Sequence, residues 1–247
     1  MDTLRACITN EVQKLFLMKK NFVFMIILVL ISALSALLLS TIQSRLMFIS
    51  LTSISFPLLM LSIVTNVFLP LFIFMAAAEL FSGEIADRTL KLTLTMPISR
   101  LKIYISKLTA IIFYTILNLL VVLLVSTLAA VGSNMGIDSI LQVFLSYLVD
   151  IVPLSILAIF AAFIVQFFRS ISTALISSIL AFIGLRVLGL VVPGLNHNLF
   201  TTYLNWSSSW FSSGISFLQN INLLILLIAY GIIFFTLGYY LFDKREV

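Results

Sequence analysis

Residues 79–107 read ELFSGEIADRTLKLTLTMPISRLKIYISK. This is the one long polar interruption on its side of an otherwise apolar chain, and its reading decides the fold. Glu79, Glu84, Asp87, Arg88, Lys91, Arg100, Lys102 and Lys107 fall within it, a third or more of all the charges. Set on a helix, Glu84, Asp87, Arg88 and Lys91 recur at i, i+3, i+4 and i+7, which is one face. Ile85, Thr89, Leu92 and Met96 fall on another face. Glu84–Arg88 and Asp87–Lys91 are acid-before-base pairs at i, i+4, which support such a helix. Pro97 cannot continue it, because proline lacks the amide hydrogen and clashes with the preceding turn. Ser99 can then cap a second helix that starts Arg100-Leu101-Lys102 and runs into the next apolar segment. The expectation is a short amphipathic helix, a break and a re-entry into the membrane. A solvated connector that merely obeys the charge rule for topology is the competing reading. The length argues against it, since a tight turn joins two spans with far fewer residues.

Outward from this stretch the chain is greasy. Of 247 residues, 62% are hydrophobic and only 9% charged, and the mean hydropathy is +1.24. No soluble fold needs that much apolar surface. Runs near twenty apolar residues recur, which is the length a helix needs to cross a bilayer, and the alternation of a β-barrel is missing. Six spans are expected, roughly Phe22–Ile42, Phe56–Leu80, Leu108–Val131, Leu141–Val165, Thr173–Val192 and Leu223–Phe242. Pro70 predicts a kink in the second. The first apolar run is too long, and its flanks wrong, for a cleavable signal peptide. Before it, Leu4, Ile8, Val12, Leu15 and Phe16 repeat at helical spacing, so residues 1–20 read as an interfacial helix, with Glu11 as the exception on its apolar face.

Lys and Arg set the orientation. Arg5, Lys14, Lys19, Lys20, Arg88, Lys91, Arg100, Lys102, Lys107, Arg169, Lys244 and Arg245 fall on one side of such a bundle, and only Arg45 on the other. That split fits six spans with both termini cytoplasmic. The chain is expected to be one transmembrane domain over residues 1–247, with a cytoplasmic segment at 81–106 and an extracellular loop at 193–222.

Little in the chain suggests catalysis. It has no phosphate-binding Gly-x-x-x-x-Gly-Lys-Ser/Thr stretch, no His-Glu-x-x-His and no serine with a plausible histidine base. One histidine and one cysteine preclude a His-rich metal cluster and an internal disulfide. No catalytic residue, metal or cofactor of its own is therefore expected. The net charge of +5 is distributed for topology rather than for nucleic acid.

Two charges lie deep in spans. Asp150 falls about 14 Å below the outer face and Arg186 about 10 Å below it, at 1.5 Å per residue. The expectation is an ion pair between spans four and five, because an unpaired charge there is costly. A bundle-locking pair is favoured over a polar patch on a substrate path. Asn66 and Asn118 are polar groups within spans, suited to gluing helices together or to lining a path. The uncharged loop at 193–222 holds Phe200, Tyr203, Trp206, Trp210, Phe211 and Phe217 and reads as one or two short helices in the outer interface. Trp206 and Trp210 would anchor the bundle at headgroup level or form an outer gate for an amphiphile.

The run Glu84-Ile85-Ala86-Asp87-Arg88-Thr89-Leu90-Lys91, then Met96-Pro97-Ile98-Ser99-Arg100 and Lys107, resembles the connection between spans two and three in ABC type-2 permeases. Arg88 stands where a glycine often precedes the threonine. The topology match covers the whole chain and the specific signal about residues 79–107. The resemblance implies an all-α membrane protein of six transmembrane helices, an N-terminal elbow helix and short re-entrant helices before span six. It makes residues 84–96 a coupling helix seated on a separate ATP-binding-cassette ATPase, with Glu79, Glu84, Asp87, Arg88, Lys91, Pro97 and Arg100 as the coupling residues. ATP and Mg would be bound by that partner. A second copy or a paralogue would complete a dimer, with spans one and five near its seam. The implied activity is export across a bacterial plasma membrane, of a peptide antibiotic, drug or other amphiphile. Two alternatives stand beside it: an autonomous ion-gradient-driven transporter or channel, and an assembly subunit with no path.

Overall fold

The computed structural model describes residues 2–45, 55–87, 98–133, 139–211 and 217–244. In chain order the helices are α1 (Asp2–Leu17), α2 (Lys19–Arg45), α3 (Phe56–Ala86), α4 (Arg100–Gly132), α5 (Ile140–Val165), α6 (Ile171–Val191), α7 (Pro193–Asn196), α8 (Ser207–Phe211) and α9 (Phe217–Asp243). A 3₁₀ turn, Phe200–Tyr203, lies between α7 and α8. Among the described residues there is no strand. Helices α2, α3, α4, α5, α6 and α9 are long and apolar enough to cross a membrane, six as expected. The amphipathic helix expected after Asp87, with Arg88, Lys91 and Pro97, lies outside the described residues.

Three spans exceed their expected bounds by six residues or more at one end. Helix α3 runs on to Ala86, α4 starts at Arg100 rather than near Leu108, and α9 starts at Phe217 rather than near Leu223. A polar residue does not end a helix if its side chain finds a partner, because the backbone bonds continue regardless. Lys107 lies inside α4 for this reason.

Helix α5 is the hub, in contact with α3, α4, α6, α8 and α9. Leu154, Leu157, Ala158, Ala161, Ala162 and Val165 on it are fully buried. The alanines let neighbouring backbones come close, and packing of this kind drives association where lipid is as apolar as leucine. Helix α9 makes room with glycines. A Cβ on Gly231 would sit 2.8 Å from Ile156 Cδ1, and one on Gly238 would collide with the Tyr104 hydroxyl. Tyr104 is held among Phe81, Phe235, Tyr239 and Phe242.

Helices α2 and α6 expose apolar faces, with Leu30, Leu34, Leu37 and Leu38 on the first and Ile176, Leu180, Ile183 and Val187 on the second. Water would penalise such faces, and hydrocarbon does not.

Helix α3 holds two π turns, Val64–Phe68 and Ala78–Gly83. The first ends where Leu69 N–H reaches back to Val64 O, five residues away, and Pro70 follows. Proline cannot donate to Asn66 O and its ring crowds that carbonyl, so the helix widens into a π turn where the kink was expected.

Candidate functional site

Charged and polar side chains gather at the two ends of the bundle. One end holds the lower part of α1, the end of α3 and the start of α4. Lys107, on α4, is wholly buried. Its ammonium donates to Glu11 Oε1 at 3.1 Å, to Glu84 Oε1 at 2.6 Å and to Leu80 O at 3.1 Å. Lys14 donates to the same Glu84 oxygen at 2.6 Å. Glu11 and Glu84 are 5% and 3% exposed and Lys107 is wholly buried, while Lys14 is about a third exposed, so two acids balance two bases and one of the bases reaches solvent. Removing such charges from water is unfavourable by several kcal/mol per ion, and only mutual pairing with further hydrogen bonds offsets it. Lys107 has three acceptors for its three protons, which meets that requirement.

Glu11 interrupts the apolar face of α1 because that face lies on α4 and meets Lys107 there. Leu15, one turn on, is fully buried beside it, and Phe16 lies edge-on to Tyr114 of α4. Glu79 is buried as well, and Lys20 of α2 approaches it at 3.5 Å. Glu79 and Glu84 are five residues apart, which in an unbroken α-helix separates them by about 140°. The π turn Ala78–Gly83, whose bonds run i→i+5, brings both toward the lysines of α1 and α2. Both line a cavity of about 320 Å³ with Lys14, Lys19, Lys20 and Asp87. Gly83 lets Ile171, at the start of α6, come within 3.4 Å of where its Cβ would be.

Two expectations are corrected here. Glu84 does not lie on an exposed docking face; it is buried and bound inside the chain. Glu79, expected among the coupling residues, is likewise buried and faces Lys20. Asp87 is exposed, its N–H bonded to Gly83 O at 2.9 Å. Arg100 starts α4 and donates to the backbone carbonyl of Asp243, fastening the start of α4 to the end of α9. Ser99 does precede α4, but it accepts Lys102 N–H through its carbonyl and not through its hydroxyl.

The other end is aromatic. The expected uncharged loop folds into α7, the 3₁₀ turn and α8, and it packs inward, with Phe200, Leu204 and Trp206 buried. Trp206 meets Trp210 edge-on, and Trp210 meets Phe217. Trp206 is therefore a packed residue, while Trp210 remains exposed at the surface.

The expected Asp150–Arg186 ion pair does not form. Asp150 is fully buried, and its two oxygens accept from Ser207 N–H at 2.7 Å and Ser207 Oγ at 3.1 Å. It thus holds the start of α8 instead of balancing a cation. Matched depth along two helices did not reveal that the segment between α6 and α9 folds in and reaches Asp150 first. Arg186 donates Nη2 to Asn66 Oδ1 at 2.6 Å, and its guanidinium lies 5.3 Å from the centre of the Phe182 ring. Asn66 donates its own amide to Ser62 O at 2.8 Å. Asn118 is fully buried and donates to Tyr114 O at 2.8 Å within α4. Beside Asp150 and α8 opens a cavity of about 300 Å³, with Leu58, Ser62, Ser146, Asn205, Ser208 and Phe211 in its wall.

Sequence reasoning counted Lys107 as one charge among eight and treated Glu11 as an exception. The signal that could have joined them is that each is a single charge on an otherwise apolar helix face.

These features define a polytopic α-helical membrane protein with a charge cluster at one end and a hydroxyl-lined cavity at the other. The profile of the ABC-2 family transporter proteins matches residues 7–187, and the chain belongs to that family. It is the transmembrane permease component of a transporter. No curated protein matches the chain.

Proposed function

We propose that the chain is an exporter subunit moved by a separate ATP-binding-cassette ATPase that docks at the charged end. The termini and the segment 81–106 then face the cytoplasm of a bacterial cell, and α1 is the elbow helix lying in the inner interface. Asp87, Arg88 and Lys91 contact the ATPase, and ATP with its Mg is held by that partner. A second copy of the chain or a paralogue completes the pathway. The cargo is an amphiphile such as a peptide antibiotic or a drug.

One observation carries this reading: Lys107 ties Glu11 of α1 to Glu84 at the entry of the segment and to α4 beyond it. A push on the segment therefore reaches α1, α3 and α4 together, since a buried charged network resists partial disruption.

The test is co-expression with an ATP-binding-cassette ATPase encoded beside the chain. The expected outcome is co-purification, and loss of coupled ATP hydrolysis when Asp87, Arg88 and Lys91 are charge-reversed. Transport by the purified chain alone along an ion gradient, with no ATPase retained, would replace this reading with a secondary transporter.

A further inference from the structure

We propose that Arg186, presented with Asn66 on the first π turn of α3, is a binding subsite for an oxyanion. The group it takes is the phosphate or carboxylate of an amphiphile. This deepens the permease reading above and rests on it.

Arg186 is permanently charged and lies within α6, one to two turns before its end at Val191. A cation inside a span is costly unless paired, and such residues mark substrate and ion pathways. The hydrogen bond that Arg186 donates goes to a neutral amide, Asn66 Oδ1. Its Nε is buried and has no acceptor. Among the described residues, no carboxylate lies within ion-pair distance of it.

The chain holds few acids that could serve. Glu11, Glu79, Glu84 and Asp87 gather at the opposite end of the bundle, and Asp243 closes α9 beside Arg100, also at that end. Asp150 is at the near end, but Ser207 occupies both of its oxygens. The side chains of Asp2, Asp138 and Glu246 lie outside the described residues; Asp2 begins α1 and Glu246 comes three residues after Asp243, which leaves Asp138, just before α5, as the candidate counter-charge. A guanidinium presents its donors as a planar fork, which matches the oxygens of phosphate and carboxylate.

The surroundings suit an amphiphile. Asn66 is fixed by its bond to Ser62 O, so its Oδ1 orients the guanidinium. Ser62 is one turn away and forms part of the wall of the 300 Å³ cavity. That wall carries Ser62, Ser146 and Ser208, the last two donating to Gln142 O and Asn205 O and so presenting acceptor lone pairs, beside apolar Leu58, Leu59 and Phe211. An anionic head at Arg186 would leave a neutral polar portion among the hydroxyls and an alkyl portion against the leucines.

The probe is decyl phosphate, with decanol as its uncharged counterpart, added to the purified full chain in a neutral detergent. A ligand that binds the folded state raises the unfolding midpoint. Decyl phosphate is expected to raise it saturably and decanol to leave it unmoved. Arg186→Gln should weaken the apparent affinity about tenfold or more, and Arg186→Lys by less, because it keeps the charge and loses the fork. The ligand-induced shift is read against each variant's own baseline, so a lower baseline in Arg186→Gln does not obscure it. Equal shifts in the native chain and Arg186→Gln, or no shift in the native chain, would overturn the proposal. So would a shift that appears only in Asp138→Asn, since Asp138 would then be the counter-charge. Repeating the assay in phosphatidylglycerol nanodiscs separates the sources. Loss of the shift there assigns the site to a lipid headgroup, its persistence assigns it to a free anionic amphiphile, and either supports an oxyanion subsite. No ATPase is needed, so failure here leaves the coupling test standing, and failure of coupling leaves this result readable.

Discussion

An ammonium removed from water needs an opposite charge and acceptors for its remaining protons if it is not to destabilise the protein, and Lys107 is held by two carboxylates and a carbonyl. Removing the cation alone leaves Glu11 and Glu84 buried and facing each other. Lys107→Met is therefore expected to lower stability by about 3–5 kcal/mol. Lys107→Met with Glu11→Gln and Glu84→Gln should recover most of that loss, since the one charge left there, Lys14, is about a third exposed and reaches water. Unfolding midpoints of the single and triple variants in detergent decide it, and a triple variant as unstable as the single would refute the network. Asp150 carries a different load. Asp150→Ala orphans the buried Ser207 N–H, at about 1–3 kcal/mol, whereas Asp150→Asn keeps an acceptor for it. In a Trp210→Phe background, emission from Trp206 should shift to the red and become open to acrylamide in Asp150→Ala, and much less so in Asp150→Asn. Unchanged quenching in Asp150→Ala would show that α8 is held by its aromatic packing alone.

Between elements, helix–helix distance is set by what the glycines omit. A methyl on Gly238 meets the Tyr104 hydroxyl, and Tyr104 is enclosed by Phe81, Phe235 and Phe242. Gly238→Ala should force α9 off α4 and α5 and cost about 1–3 kcal/mol. Gly184, inside α6, is the opposite case, because nothing lies within 4 Å of where a methyl on it would sit. Gly184→Ala should therefore stabilise the purified chain by about 0.5–1 kcal/mol through helix propensity. Thermal unfolding of the two variants side by side checks both signs. The π turns of α3 act at the same level of detail. The turn at Ala78–Gly83 rotates Glu79 and Glu84 toward α1 and α2, and the turn at Val64–Phe68 turns Asn66 to Arg186. Pro70 gives a local reason for the turn at Val64–Phe68. No proline follows the other, and its cause is tertiary: Ser82 bonds Val165 O at 2.9 Å and Gly83 receives Ile171.

For the molecule as a whole, the six spans were legible because bilayer thickness imposes a minimum apolar length on any crossing helix, and that length is visible in composition alone. The short helices between α6 and α9 were legible from an uncharged aromatic segment between two spans. The partners of individual charges were not. Depth along two helices suggested Asp150 with Arg186, yet rotation about each helix axis and the inward fold of α8 gave them Ser207 and Asn66. Spacing likewise put Glu84 on a solvent face, and the π turn with Lys107 behind it put Glu84 inside.

Membrane residence, the number of crossings and the place of the long polar connection follow from the order of residues alone, because hydrophobic length and charge segregation are one-dimensional properties. Which charges neutralise one another, and that Arg186 within its span keeps no carboxylate partner among the described residues, emerged only from the packed bundle. Those outcomes depend on rotation, register and close approach between helices distant in sequence, and no run of residues encodes them locally.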